Sequence, residues 1–482
     1  MQELPPEIWI YITKFIPDDT LRKLLPVNVF FYNIAMDMRY KALELQKFNN
    51  RTMKLLNRLA DPAVGRRVRF LTVSPDFGFY GTVHAQPSMR YRFHNILHTF
   101  HLTGPALRPE EEGTHALINA LPSMPNVMAF TVDCFSDHCG PELNTFLTSA
   151  WASFGSNLSK LSLRGHATSF RTIITSRPNL PMVEELFFEL VDNPLSSRRR
   201  EDADTLVTVV APFINSFSSR LQAFTFWAWT SIELSALFNS LGEFPLLTCF
   251  NFHTSFPRTF TVDPTSLFNF LQRHCSQLEI LVLRLNTTPL LQASSTEQRL
   301  SEWILNTFQG NHFSHLQELQ LYPSALPEGF SGLLSCLQQS AETLTTLVVR
   351  ERYLDAEDVA SLLNHIPPNL QFLRLNLREL NVNLFNGLAP KQSQLRSLSL
   401  YIGNVSPTFI ADMRLQTFND WNLQNVGVWQ SGSMASGQLM RSIKHAVPSV
   451  QSFWNLGTTD TEPTTPEPPP DWSTRIIDDG IH

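Results

Sequence analysis

An apolar triplet with the spacing L-x-x-L-x-L returns along most of this chain, and no feature limits its fold more tightly. It reads Val127-Phe130-Val132, Leu158-Leu161-Leu163 and Val183-Leu186-Phe188, then Leu221-Phe224-Phe226, Leu247-Phe250-Phe252 and Leu278-Leu281-Leu283. It continues as Leu316-Leu319-Leu321, Leu344-Leu347-Val349, Leu370-Leu373-Leu375, Leu395-Leu398-Leu400 and Leu423-Val426-Val428. Val68-Leu71-Val73 and Val450-Phe453 read as worn ends of the series. With 43% apolar residues, one triplet carries no information, because chance supplies it in about one window of twelve. The interval carries the signal. From Leu316 onward, successive first places are 28, 26, 25 and 28 residues apart. The earlier intervals of 31, 25, 38, 26, 31 and 38 fit the same unit with inserted loops.

The segments between triplets are helical in pattern. Ser294 and Glu297 have capping-box spacing ahead of Leu300, Trp303, Ile304 and Phe308. Asp263-Pro264 precedes Leu267, Phe270 and Leu271, and Val359, Leu362, Leu363 and Ile366 stripe a helix stopped by Pro367-Pro368. Each unit is therefore helix, turn and short strand. Neither element can bury its apolar side alone, so stacked units must share one core. The period resembles that of leucine-rich repeats, near its long end. That resemblance implies an α/β leucine-rich-repeat solenoid, a horseshoe with a parallel sheet on the concave face and helices on the convex face. About 11–13 irregular repeats are expected over residues 60–456, after a helical linker at 46–59. Place nine departs from the family, since its usual Asn or Cys occurs only at Asn286. Residues 74–126 hold no clean repeat. Residues 457–482 begin a Pro/Thr/acidic tail, expected to be disordered or extended.

The first forty residues have a different pattern. Leu4, Ile8, Ile12 and Ile16 recur every four residues and stripe one helix. Leu21, Leu24 and Leu25 form a second stripe, and Phe30, Phe31, Ile34, Ala35 and Met38 a third. Helices this short need a partner or the next domain to bury their apolar faces. The stretch LPPEIWIYITKFIPDDTLRKLLPVNVFFYNIA resembles the F-box: Leu4, Pro5, Glu7 and Ile8 match its opening, and Ile12, Ile16, Leu21 and Leu24 its helix spacing. Val27-Asn28 with Phe31 matches its close. Pro26 and Val29 depart from the family pattern. The resemblance implies a three-helix module at 1–45 and a substrate-recognition subunit of an SCF-type ubiquitin ligase. The module would dock on a Skp-type adaptor, and through it a cullin, using Leu4, Pro5, Ile8, Ile12, Ile16, Leu21, Leu24, Val27 and Phe31. The repeats would hold a target protein. The alternative is a repeat scaffold that binds the adaptor without target ubiquitination.

Composition narrows the partners. A net charge of −6 gives no broad basic surface for nucleic acid. Five cysteines show no framework spacing, and Glu3 stands where a signal peptide carries basic residues, so a reduced cytoplasmic or nuclear setting is expected. No run is long enough to span a membrane, and the sequons at Asn50, Asn157, Asn286 and Asn404 are expected to stay unmodified.

Alternation along each strand sends places 4 and 6 into the core and places 3, 5 and 7 to the concave side. Place 7 reads Asp133, Arg164, Glu189, Trp227, His253, Arg284, Tyr322, Arg350, Asn376, Tyr401 and Trp429. Trp, Tyr and Arg dominate binding hot spots, so Trp227, His253, Arg284, Tyr322, Arg350, Tyr401 and Trp429 are the expected target contacts.

Catalytic and metal chemistry is weakly represented. His94, His98 and His101 could share a helix face, but no Glu sits within that run to serve as base. Cys134, His138 and Cys139 crowd one loop without a second ligand pair, and Arg198-Arg199-Arg200 reads as a solvated charge run. No nucleophile elbow, phosphate loop or H-E-x-x-H motif is present. The expectation is a binding protein without catalytic residues, metal or cofactor. An enzyme hidden between Val73 and Val127 is the remote alternative.

Overall fold

The computed structural model describes residues 6–13, 15–16, 20, 24, 29–46, 48–74, 109–134, 141–176, 179–191, 199–230, 232–254, 256, 259–285, 294–310, 312–322, 327–340, 342–350, 352–430 and 433–453. It divides into two compact units, Met1–Leu221 and Gln222–His482.

In the first unit, strands β1 (Ala42–Leu45), β2 (Phe70–Val73), β3 (Ala129–Cys134), β4 (Lys160–Gly165) and β5 (Glu185–Val191) pair in chain order, all parallel. Places 4 and 6 meet the helices between strands. Phe130 packs on Phe146 and Phe154 of helix Pro141–Phe154, at ring-centroid distances of 6.1 and 5.2 Å. Phe188 packs on Phe170 of helix Ala167–Thr175 at 5.5 Å.

The second unit repeats the arrangement with β6 (Ala223–Trp229), β7 (Cys249–Thr254), β8 (Ile280–Leu285), β9 (Glu318–Leu321), β10 (Thr346–Val349), β11 (Phe372–Leu380), β12 (Ser397–Val405) and β13 (Asn425–Gln430). These too are parallel and in chain order; a short antiparallel strand, β14 (Ser433–Met434), follows β13. The core of its first repeats is a phenylalanine cluster. Phe250 and Phe270 lie 4.9 Å apart, and Phe238 meets Phe252, Phe270 and Phe260 at 5.1, 5.5 and 5.7 Å. Buried aromatics each hide a large apolar area, and edge-on packing suits their quadrupoles.

One backbone device recurs within each unit and fixes the register there. The place-2 carbonyl of one repeat accepts two consecutive N–H groups from the next. Lys41 accepts from Arg69 and Phe70, Arg69 from Met128 and Ala129, and Met128 from Ser159 and Lys160. In the second unit Gln222 accepts from Thr248 and Cys249, and the pattern runs on to Gln424, which accepts from Gln451 and Ser452. The worn triplet at Val450 is thus a true register element.

The expected triplets from Val68 to Leu423 fall at strands β2 to β13, and the parallel α/β repeat architecture is the one their spacing implies. The array starts earlier than residue 60, however. Tyr40-Leu43-Leu45 is a first triplet with tyrosine at place 1, all three side chains buried, and it forms β1 inside the segment expected to be helical. The expected linker holds helix Asn50–Leu59, capped by Asn49, whose side chain accepts from the N–H groups of Arg51 and Thr52 at 2.9 and 3.0 Å. It joins β1 to β2 as later helices join later strands, burying Leu56 and Leu59.

Before β1 stand helices Pro6–Thr13 and Val29–Tyr40. Trp9 joins them, 6.0 Å from Phe30 and 5.3 Å from Phe31. Arg67 fastens the second helix to the repeats, bonding the Asn33 carbonyl and side chain and pairing with Asp37.

Candidate functional site: an apolar N-terminal face and a stacked strand row

Short helices leave apolar side chains uncovered. Among the described residues, Ile8, Tyr11, Phe15, Val29, Tyr32 and Met38 are six of the thirteen exposed large apolar side chains, within the first forty positions. Tyr11 and Phe15 are 61% and 71% exposed, with rings 5.1 Å apart. A soluble surface rarely concentrates such residues without a partner. Of the nine expected adaptor contacts, Ile8 is exposed, and Ile12, Ile16 and Leu24 are half-buried. Phe31 is buried against Trp9 and serves the module's interior. Leu4, Pro5, Leu21 and Val27 lie outside the described residues. The exposed Tyr11, Phe15, Val29 and Tyr32 are not among the nine expected contacts. Their signal was the i, i+3 and i+7 spacing from Ile8, and i, i+3 from Val29, on the faces turned away from Trp9.

The strand face opposite the helices carries two different place-7 rows. In the first unit the row is ionic. Arg164 donates to Glu189 at 2.5 Å and pairs with Asp133 at 3.6 Å, and the Ser74 hydroxyl donates to Asp133 at 3.0 Å. Burial raises the Asp133 pKa, opposed by Arg164. Burial works against the charge of Arg164, but Glu189 and Asp133 outweigh it and hold the guanidinium ionised.

In the second unit the row is a stack. Neighbouring parallel strands lie about 4.8 Å apart, so in-register side chains meet face to face. Trp227, His253 and Arg284 are register partners, as are Asn376, Tyr401 and Trp429. Trp227 and His253 stack at 4.7 Å, and Tyr401 and Trp429 at 4.9 Å. Tyr322 lies between two guanidinium groups, 5.4 Å from Arg284 and 5.5 Å from Arg350. Its π-faces relieve the repulsion that two like charges would otherwise feel. Burial, then Arg284 and Arg350, push His253 down to about 3, so its ring is neutral near pH 7.

The structure therefore places the seven expected target contacts along the second unit's strand face in two stacked groups, Trp227 to Arg350 and Tyr401 with Trp429. Trp227, His253, Arg284, Tyr322 and Trp429 are buried by their neighbours, while Arg350 and Tyr401 remain half-exposed. Arg374, at place 5, was missed: its guanidinium sits 4.2 Å above the Tyr401 ring. Place 5 is chemically mixed, so only register reveals the contact.

Among the described residues, no group of three or more His, Cys, Asp or Glu side chains is placed to hold a metal ion. His94, His98, His101, His138 and Cys139 lie outside the described residues, as does the tail from 457. No described helix is long and apolar enough to cross a membrane.

No family model matches the chain, and no curated protein matches it. Among the solved structures that match is the crystal structure of the Rad7–Elc1 complex from yeast, 14% identical, with a TM-score of 0.36, covering 84% of this chain and 80% of that one.

Proposed function

We propose that this chain is the substrate-recognition subunit of an SCF-type ubiquitin ligase. Its N-terminal helices dock on a Skp-type adaptor, and through it a cullin. The strand face of the second unit holds a target protein. The chain itself performs no catalysis; it raises the effective concentration of a target beside a ubiquitin-charged enzyme.

The observation that carries this reading is the apolar face of the first forty residues. Ile8, Tyr11 and Phe15 are exposed on a module whose sequence resembles the F-box. Such a face fits a hydrophobic partner groove. Target contact rests on the stacked row, with Arg350 and Tyr401 as its accessible members and the buried rings of Tyr322 and Trp429 beside them as a support.

The test is affinity capture of the full chain from cells, followed by ubiquitin transfer in the captured material. Adaptor and cullin should co-purify, and a captured protein should become ubiquitinated. Both should be lost with Ile8→Asp and Tyr11→Asp together. Adaptor binding without any ubiquitinated client would favour a scaffold instead, and no adaptor at all would reject the reading.

A further inference from the structure

A parallel sheet must end somewhere, and its end strand presents unpaired backbone groups. Among the described residues, β1 pairs only with β2. The carbonyls of Lys41 and Leu45 accept hydrogen bonds from the β2 side. Backbone groups alternate along a strand, so those of Ala42 and Glu44 point outward, away from β2. They are a ready template for one more strand.

That edge borders an open groove of about 940 Å³, lined by β1 and by helix Asn50–Leu59. Arg39, Arg51, Lys54 and Arg58 line it, against the single carboxylate of Glu44. Arg51, Lys54 and Arg58 make no side-chain hydrogen bond or ion pair among the described residues. Elsewhere in this unit cations on strands are matched, as Lys160 is by Glu185 at 3.0 Å and Arg164 by Glu189. The groove thus combines free main-chain groups on one wall with unmatched positive charge on the other.

We infer that this groove binds an acidic, extended peptide segment of a partner protein, which adds to β1 as an extra strand. Its main chain would bond the outward groups of Ala42 and Glu44. Its side chains would alternate, as in any strand. Those facing the helix would be carboxylates, meeting Arg51, Lys54 and Arg58, with Leu55 beneath them. Main-chain pairing supplies affinity and the charges supply selection, the division of labour of strand addition generally. The groove's lining shares no residue with the adaptor face or the stacked row, and the inference does not depend on either.

The test uses the full chain and a fluorescein-labelled eight-residue peptide alternating Glu and Thr, read by anisotropy. Its Gln–Thr counterpart should bind at least ten-fold more weakly. So should a Glu–Thr peptide N-methylated at alternate residues, which keeps the charge and removes the main-chain donors. Full-length protein carrying Arg51→Gln, Lys54→Gln and Arg58→Gln should also lose at least ten-fold, with an unchanged circular dichroism spectrum. Equal binding of the N-methylated peptide would reduce the site to plain charge attraction and overturn strand addition. Unchanged binding by the triple variant would overturn the groove as the site. A further full-length variant neutralises the chain's own acidic tail at Asp460, Glu462, Glu467, Asp471, Asp478 and Asp479. Ten-fold tighter peptide binding by that variant would assign the groove to the tail and overturn the partner assignment.

Discussion

Trp227 and His253 lie face to face across neighbouring strands, with ring centroids 4.7 Å apart and planes within 6°. The imidazole is boxed in by that indole on one side, with the Tyr322 ring 6.3 Å away. It is uncharged because burial and two nearby guanidinium groups hold its pKa at about 3. The sign of the consequence is fixed. The unfolded chain takes up a proton on this histidine near pH 6.5, and the folded chain does so only near pH 3. The second unit therefore loses stability as pH falls through that window, by about 4 kcal/mol at its acid end. His253→Phe should remove this part of the acid sensitivity. Thermal unfolding at pH 7 and pH 4 should show a smaller gap for the variant than for the parent chain.

The phenylalanine cluster fills the core behind β6 to β8. Phe250 is fully buried and touches Phe270 and Phe224 at 4.9 and 5.9 Å. Phe250→Ala should cost about 3–5 kcal/mol, the sum of lost transfer energy and an unfilled cavity. Phe250→Leu should cost under about 1.5 kcal/mol. Urea unfolding followed by tryptophan fluorescence measures both.

Arg164 is the cation that allows Asp133 and Glu189 to sit on one strand face. Arg164→Met leaves two poorly exposed carboxylates facing each other and should cost about 2 kcal/mol, discounted because the arginine is itself part-exposed. Adding Glu189→Gln should recover a measurable share, and a double-mutant cycle isolates the coupling.

Gly165 ends β4 with φ of +150°, a backbone region that favours glycine. A Cβ there would run into the carbonyl oxygen of Cys134. Gly165→Ala should destabilise the first unit by roughly 1–3 kcal/mol, seen as a lower melting temperature.

The repeats were legible because places 1, 4 and 6 are committed to one buried layer, where only bulky apolar side chains fit. That constraint survives inserted loops, so β2 to β13 were marked by composition at fixed spacing alone. It hid β1 because tyrosine fills place 1 at Tyr40, and Tyr40 also closes a helix. The place-7 row was legible as chemistry. Its stacking was not, since Trp227 and His253 are 26 residues apart in sequence and meet only through strand register. Arg374 carried no spacing signal, and the helical spacing of Arg51, Lys54 and Arg58 does not by itself mark a groove. Their meaning comes from what lies opposite them in space.

Calorimetric titration of the full chain with a purified Skp-type adaptor measures adaptor docking itself. Binding should be one-to-one and weakened at least ten-fold by Ile8→Asp with Tyr11→Asp, while the circular dichroism spectrum stays the same. An absence of binding heat, or equal affinity for the variant and the parent chain, would contradict docking by the N-terminal face.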